Sequence, residues 1–172
     1  MKDKLTFLGI IVATLMLLYI RFIYVQHTEK VAIKSSTLEL IERLEGAVPH
    51  AYLDSAGHWT IGIGHKIKMS EPYLLFAKLN RSEMLDLLRR DLEPCERFLR
   101  TGVGYPINQS QFDALMSLCH NIGVDNLKRS HVVMHLNNYQ EKSAANAFLN
   151  WNKPAELTKR RREERRLFLS NI

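Results

Sequence analysis

One segment divides this chain before any motif is read. Residues Leu5–Val25, LTFLGIIVATLMLLYIRFIYV, are apolar throughout except for Arg21 and two threonines. A helix of that length, at about 1.5 Å per residue, crosses a bilayer core. The preceding Met1-Lys2-Asp3-Lys4 is net positive, which marks an end left in the cytoplasm. Arg21 stands near the far end, where its long side chain can reach the interface. A core helix of a soluble domain is seldom apolar on every side. A cleavable signal needs small residues one and three positions before the cut, and residues 20–36 offer no good pair. The reading is an uncleaved signal anchor within residues 1–27, crossing a membrane once. Residues 28–172, after the polar tether Gln26–Lys30, would then form a domain facing the periplasm or exterior.

That remainder suits one domain. The net charge of +6 favours polyanions, among which nucleic acid, an anionic membrane and an acidic wall polymer all qualify. Cys95 and Cys119 are too few for a disulfide scaffold and lack metal-ligand spacing. In an exported domain they can pair, and two buried free thiols suit the sequence equally well.

The domain reads as α+β and mainly helical, with a small hairpin-containing lobe and a larger helical lobe. Ser36-Thr37-Leu38-Glu39 fits a capping box, followed by Leu38, Ile41 and Leu44 at helical spacing with Leu40 beside them. Gly46 is a stop signal, and Pro49 bars continuation. Ser55-Ala56-Gly57 reads as a turn between extended segments, with Asp54 at its entry and Thr60 on the return strand. From Arg81 the pattern is helical. Met84, Leu87, Leu88, Leu92, Cys95 and Phe98 form one stripe of a bridging helix, and Pro94 predicts a kink or break in it. Asn108 to Gly123 brackets a second long helix with Phe112, Leu115, Leu118, Cys119 and Ile122 inward. Two shorter helices are expected over residues 124–136 and 140–151, and a basic one after Pro154.

Within LEGAVPHAYLDSAGHWTIGIGH, eight residues separate Glu45 from Asp54, and five more precede Thr60. A carboxylate at a helix C-terminus meets the negative end of the dipole. Together with neighbouring Leu44 and Val48, that favours Glu45 as a neutral acid, while Asp54 in a polar turn should be ionised. One neutral and one charged carboxyl suit glycoside cleavage, the first protonating the leaving oxygen and the second serving water. Thr60 is placed to help hold that water. The bland reading makes Glu45 a solvated helix-end acid and Asp54 a turn former.

EGAVPHAYLDSAGHWTIGIGH resembles the active-site segment of the phage-type lysozymes, the endolysins of glycoside hydrolase family 24. Their pattern runs E-G, four residues, then a-Y-x-D-x-x-G-x-x-T-I-G-x-G-H. NQSQFDALMSLCHNIG is similar to the family's Q-x-x-A-L-x-S-x-x-x-N-x-G helix, and WNKPAELTKRRREERRLF to W…G-L-x-x-R-R-x-x-E-x-x-L-F, with Glu156 in place of the glycine. The resemblance implies a lysozyme-like fold and hydrolysis of the β-1,4 bond between N-acetylmuramic acid and N-acetylglucosamine in peptidoglycan. It implies Glu45 as proton donor, Asp54 on water and Thr60 as the third catalytic residue. Arg160 is expected against the acid, and Asn121, Tyr52 and His65 as binding or supporting residues. Arg160 and Asn121 have structural readings too, as a surface ion pair and a helix cap. Some members carry a signal anchor that holds the enzyme tethered and inactive until it slips out, and Leu5–Val25 is similar to such a segment. No cofactor and no metal are expected, and a monomer is.

Other constellations fare worse. Ser55, His58 and Asp54 sit on one turn, whereas a hydrolase triad converges from separate elements. His50, His58 and His65 lack a zinc-ligand spacing. KRRREERR at Lys159–Arg166 reads as a solvated ion-paired face rather than a nucleic-acid site. Trp59 could stack on sugar, and Trp151 reads as core. The alternative to an enzyme is a membrane-tethered peptidoglycan-binding module without activity.

Overall fold

The computed structural model describes residues 12–20 and 31–170. Most of the expected anchor at Leu5–Val25 therefore lies outside the described residues. Residues 12–20 are helical and exposed, and among the described residues no helix is long and apolar enough to cross a membrane.

Helix α1 (Ser35–Glu45) leads into an antiparallel sheet of β1 (Val48–Leu53), β2 (Trp59–Gly62) and β3 (His65–Lys66), in that order. A 3-10 turn at Pro72–Phe76 precedes the long α2 (Arg81–Thr101). Then come α3 (Gln109–Ile122), α4 (Val124–Lys128), α5 (His131–Asn137) and α6 (Glu141–Ala147). A second 3-10 turn at Phe148–Trp151 leads to α7 (Leu157–Phe168). The fold is thus mainly helical α+β with a small sheet.

Two hydrophobic clusters define the lobes. Ile61, Leu74 and Leu87 form a small one under the sheet, while Phe112, Leu115 and Leu118 of α3 centre a large one. Helix α2 serves both, since Leu87 enters the first and Leu88, Leu92 and Leu99 enter the second. Adjacent positions point to different lobes, as the stripe of a bridging helix requires. The disulfide Cys95–Cys119 ties α2 to α3, which settles the pairing that the sequence left open.

Several local expectations are corrected. Pro94 neither breaks nor ends α2, which runs unbroken for 21 residues. Both Pro94 and Arg90, whose carbonyl loses its donor, are exposed, so water can replace the missing bond. Helix α1 begins before the expected capping box: Thr37 Oγ1 accepts the Lys34 N–H at 3.1 Å. The Ser36 and Thr37 hydroxyls instead donate to Asp113 of α3, at 2.9 and 2.6 Å. These bonds dock the helix that carries Glu45 onto the large lobe. Residues 124–136 form two helices because Ser130 starts a new one, its side chain accepting the Val133 N–H. Glu156 has φ −58°, an ordinary right-handed conformation, so the turn there does not require glycine.

Candidate active site

Glu45 is the last residue of α1, and Gly46, at φ +80°, turns the chain out of the helix. Its side chain is 21% exposed. Arg160 of α7 reaches it from the far end of the sequence, Nη1 donating to Oε1 at 2.6 Å. The guanidinium stands directly against the carboxyl at the helix end. Val48 is exposed and does not add the apolar shielding expected of it.

Asp54 closes β1. Its Oδ1 accepts the backbone N–H groups of Ala56 at 2.9 Å and His58 at 2.8 Å, while Oδ2 faces Lys66 Nζ at 4.0 Å. The His58 amide, with the Ala56 amide and the nearby His58 and Lys66 charges, holds the Asp54 carboxyl below the usual carboxylate range against some desolvation. Asp54 is ionised, as expected, and the turn that makes the bland reading true is also what stabilises the charge. One oxygen is engaged in the turn and the other faces outward to a cation.

Strand register assembles the rest. Tyr52 pairs with Thr60, and Thr60 pairs with Lys66, so these three side chains share one face of the sheet. Asp54, two residues beyond Tyr52, falls on that face also. Thr60 is buried, and its hydroxyl donates to the His58 carbonyl at 3.1 Å, which leaves its oxygen able to accept from a water. Burial pushes the Tyr52 phenol above its usual range, and the charges of Glu45 and Asp54 add to the push. The phenol is thus within electrostatic reach of both carboxyls. Trp59 is 48% exposed, but alternation turns it to the face opposite Thr60. Trp151 packs against the large core, as expected.

His65 is 3% exposed and does not face the carboxyl pair. Nδ1 lies 2.8 Å from Asp91 of α2, and Nε2 lies 3.0 Å from Glu71. It clasps β3 to α2 and to the loop before Pro72. Burial pulls its pKa down, but the two carboxylates outweigh that and raise it.

The basic run is only partly a solvated face. Arg162 and Arg166 are exposed, whereas Arg160, Arg161 and Glu164 are buried. Glu164 accepts from Arg160 Nε at 3.0 Å, Arg161 Nη1 at 2.5 Å and Ser117 Oγ at 2.7 Å. Arg160 Nη2 also donates to the Ser117 carbonyl at 3.1 Å. Arg161 donates to Asn121 as well, so Asn121 serves the network instead of capping α3. Burial pushes the Glu164 carboxyl up, and the guanidiniums and the Ser117 hydroxyl pull it back. Neither Arg161 nor Glu164 stood out as functional in the sequence, although both lie in the R-R-x-x-E pattern.

The rival sites do not form. Ser55 is exposed on the Asp54 turn, and among the described residues no group of His, Cys, Asp and Glu side chains is arranged to hold a metal.

With this geometry in hand, comparison with known proteins fixes the class. The profile of the phage lysozyme family matches residues 42–164, and this chain belongs to that family. The endolysin of Salmonella phage P22 is 39% identical over 143 residues, which cover 80% of this chain and 98% of that one. A crystal structure of a P22 lysozyme mutant superposes with a TM-score of 0.73 at 37% identity, over 81% of this chain and 99% of that one. The muramidase domain of SpmX from Asticaccaulis excentricus gives a TM-score of 0.72 at 34% identity, again over 81% and 99%. A SAR-endolysin of Haemophilus phage HP1 is 31% identical over 97 residues, 56% of this chain and 50% of that one. The fold is lysozyme-like and the chain is a lysozyme-type glycosidase.

Proposed function

We propose that this chain is an endolysin that hydrolyses the β-1,4 bond between N-acetylmuramic acid and N-acetylglucosamine in peptidoglycan. Glu45 donates a proton to the glycosidic oxygen. Asp54, ionised, orients and activates a water held with the help of Thr60. Inversion at the anomeric carbon follows if the two carboxyls stand about 6.5–9.5 Å apart, the gap that admits such a water. Arg160 holds the acid in place, and Tyr52 borders the sugar between the two carboxyls. The observation that carries this reading is the contrast between the carboxyls. Asp54 is fixed as an anion by backbone amides, and Glu45 is held by one guanidinium at the end of a short helix.

The test is loss of turbidity of a peptidoglycan suspension. Glu45→Gln should abolish the activity and Asp54→Asn should reduce it by at least about a hundredfold. Asparagine at position 54 still accepts both turn amides, so that variant should melt within about 1 kcal/mol of the parent. Unchanged clearance by Glu45→Gln would refute Glu45 as the acid, and no clearance by the parent itself would refute the enzyme and leave the binding-module alternative.

We also propose that Leu5–Val25 anchors residues 28–172 to the periplasmic face of the inner membrane and releases them on depolarisation. Its length, apolar composition and basic flank support this, as does the kinship to a SAR-endolysin. Cell fractionation before and after an uncoupler should show transfer from the membrane pellet to the soluble fraction. Retention in the pellet throughout would reject release without touching the catalytic reading.

A further inference from the structure

One cation on the catalytic face takes no part in the proton transfers. Thr60 pairs with Lys66 across β2 and β3, so Tyr52, Thr60 and Lys66 form a row over the three strands. Neighbouring strands stand about 4.8 Å apart, which sets Lys66 one strand beyond the threonine that helps to hold the water. Gly64, two residues before it, lies against the acid: a Cβ there would be 3.6 Å from Glu45 Oε2. Lys66 thus belongs to the wall of the site that meets both carboxyls, Asp54 through its own side chain and Glu45 through Gly64.

The ammonium is not spent inside the protein. Nζ stands 4.0 Å from Asp54 Oδ2, beyond hydrogen-bond length, and the side chain is 63% exposed. It donates no hydrogen bond among the described residues, so three N–H donors remain for a ligand. Holding Asp54 does not require the lysine. Two backbone amides already bond that carboxylate, and Lys66 is the least of the influences that keep it below the usual range. An exposed ion pair of this kind also contributes little to stability.

We propose, building on the muramidase reading, that Lys66 is a substrate-binding residue whose ammonium takes a carboxylate of the peptide borne by the muramic ring under attack. The water that Asp54 serves adds to C1 of that ring. C3 of the same ring carries the lactyl ether from which the peptide hangs, and the peptide bears free carboxylates. The reacting carbon and the acidic substituent therefore arrive together, and the flexible four-carbon stem of a lysine can follow the second. Lys66 makes the enzyme prefer an acidic, peptide-bearing glycan over a neutral one. The position lies just beyond the T-I-G-x-G-H pattern, so the preference belongs to this chain and not to the motif.

The experiment compares kcat/KM of the full chain in detergent on native peptidoglycan and on peptidoglycan whose carboxyls have been amidated with methylamine and carbodiimide. The parent should prefer the native form about tenfold, the size of one charge-assisted contact. Lys66→Met should lose most of that preference, through KM and not kcat, and Lys66→Arg should keep it. Lys142→Met, which removes one exposed charge on α6, should keep it as well. If Lys66→Met does not fold by thermal melt, Lys66→Gln replaces it. An equal loss on both substrates, or a fall in kcat with the acid limb of the pH profile displaced, overturns the proposal and makes Lys66 a partner of Asp54 alone. A preference lost equally in Lys142→Met overturns it too, since net charge then accounts for it. If the parent clears neither substrate, the muramidase reading fails; if it clears both alike, only the role of Lys66 fails.

Discussion

Glu164→Gln tests whether the buried charge network holds the catalytic helices together. Glu164 is fully buried and accepts from two guanidiniums and a hydroxyl. Glutamine keeps the shape but only one oxygen, and it turns an NH2 toward a guanidinium that needs an acceptor. Two buried cations then lose their common anion. Removing one partner from a buried pair costs about 3–5 kcal/mol, much of it the penalty of the stranded charge. For a chain of this size each kcal/mol lowers Tm by about 2–4 °C, so a drop of roughly 10 °C is expected near neutral pH. Arg160 would also lose the bond that fixes its Nε, and clearance by the folded variant should fall because Glu45 is less well held. Thermal melts followed by circular dichroism give the first number and turbidity gives the second. A control removes both charges: Arg161→Met with Glu164→Leu should melt above the single variant, since nothing charged is stranded at position 161. A single variant within about 1 kcal/mol of the parent would refute the reasoning, because the anion would then not be what compensates the buried guanidiniums.

The His65 clasp should depend on pH in a defined direction. Its folded pKa is raised above the ordinary 6.5, so its stabilisation is complete below 6.5 and fades as pH rises through the folded value. Glu71 is lowered from the ordinary 4.5 by its bond to His65, despite desolvation, so its share is lost on acidification. His65→Gln should therefore cost most between about pH 4.5 and 6.5, roughly 2 kcal/mol, and little in alkali, as melts across pH will read. Replacing both Cys95 and Cys119 by alanine opens a 24-residue loop and should cost about 3 kcal/mol, visible as a lower urea midpoint. Gly64→Ala puts a methyl against Glu45 and His120 at a positive φ. It should cost about 1–2 kcal/mol in stability and a larger share of activity, at least tenfold in clearance rate.

Where local chemistry decided the structure, the sequence was readable. Asn108 caps α3 through Gln111, Gly46 and Gly123 end their helices, and the Asp54 turn lies where Ser55-Ala56-Gly57 placed it. These signals are short-range and act through backbone groups that need partners within a few residues. The short β3 was not readable, since two residues carry no periodicity, and its place depends on His65 meeting Asp91 some 26 positions away. Nor was the docking of α1 readable. The Ser36 hydroxyl that suggested a cap donates instead to Asp113, which only tertiary packing brings near.

The basic run shows why residue type can mislead where phase does not. Charge led to the expectation of a solvated face, yet Arg160, Arg161, Glu164 and Phe168 follow the three-and-four spacing of an inward stripe on α7. The helix turns that face inward, where Phe168 packs on Phe148 and Arg160 and Arg161 bond Ser117 and Asn121 of α3. The charged side chains on the same stripe go inside with it. Once buried, a guanidinium requires an anion, and the anions stand within reach: Glu164 on the same helix, and Glu45 at the end of α1. On these grounds the contact between Arg160 and the acid follows from helix phase and desolvation together. Moving the stripe by one residue, with an alanine inserted after Leu157, should then cost catalysis and folding at once, whereas an insertion after the exposed Ser170 should cost neither.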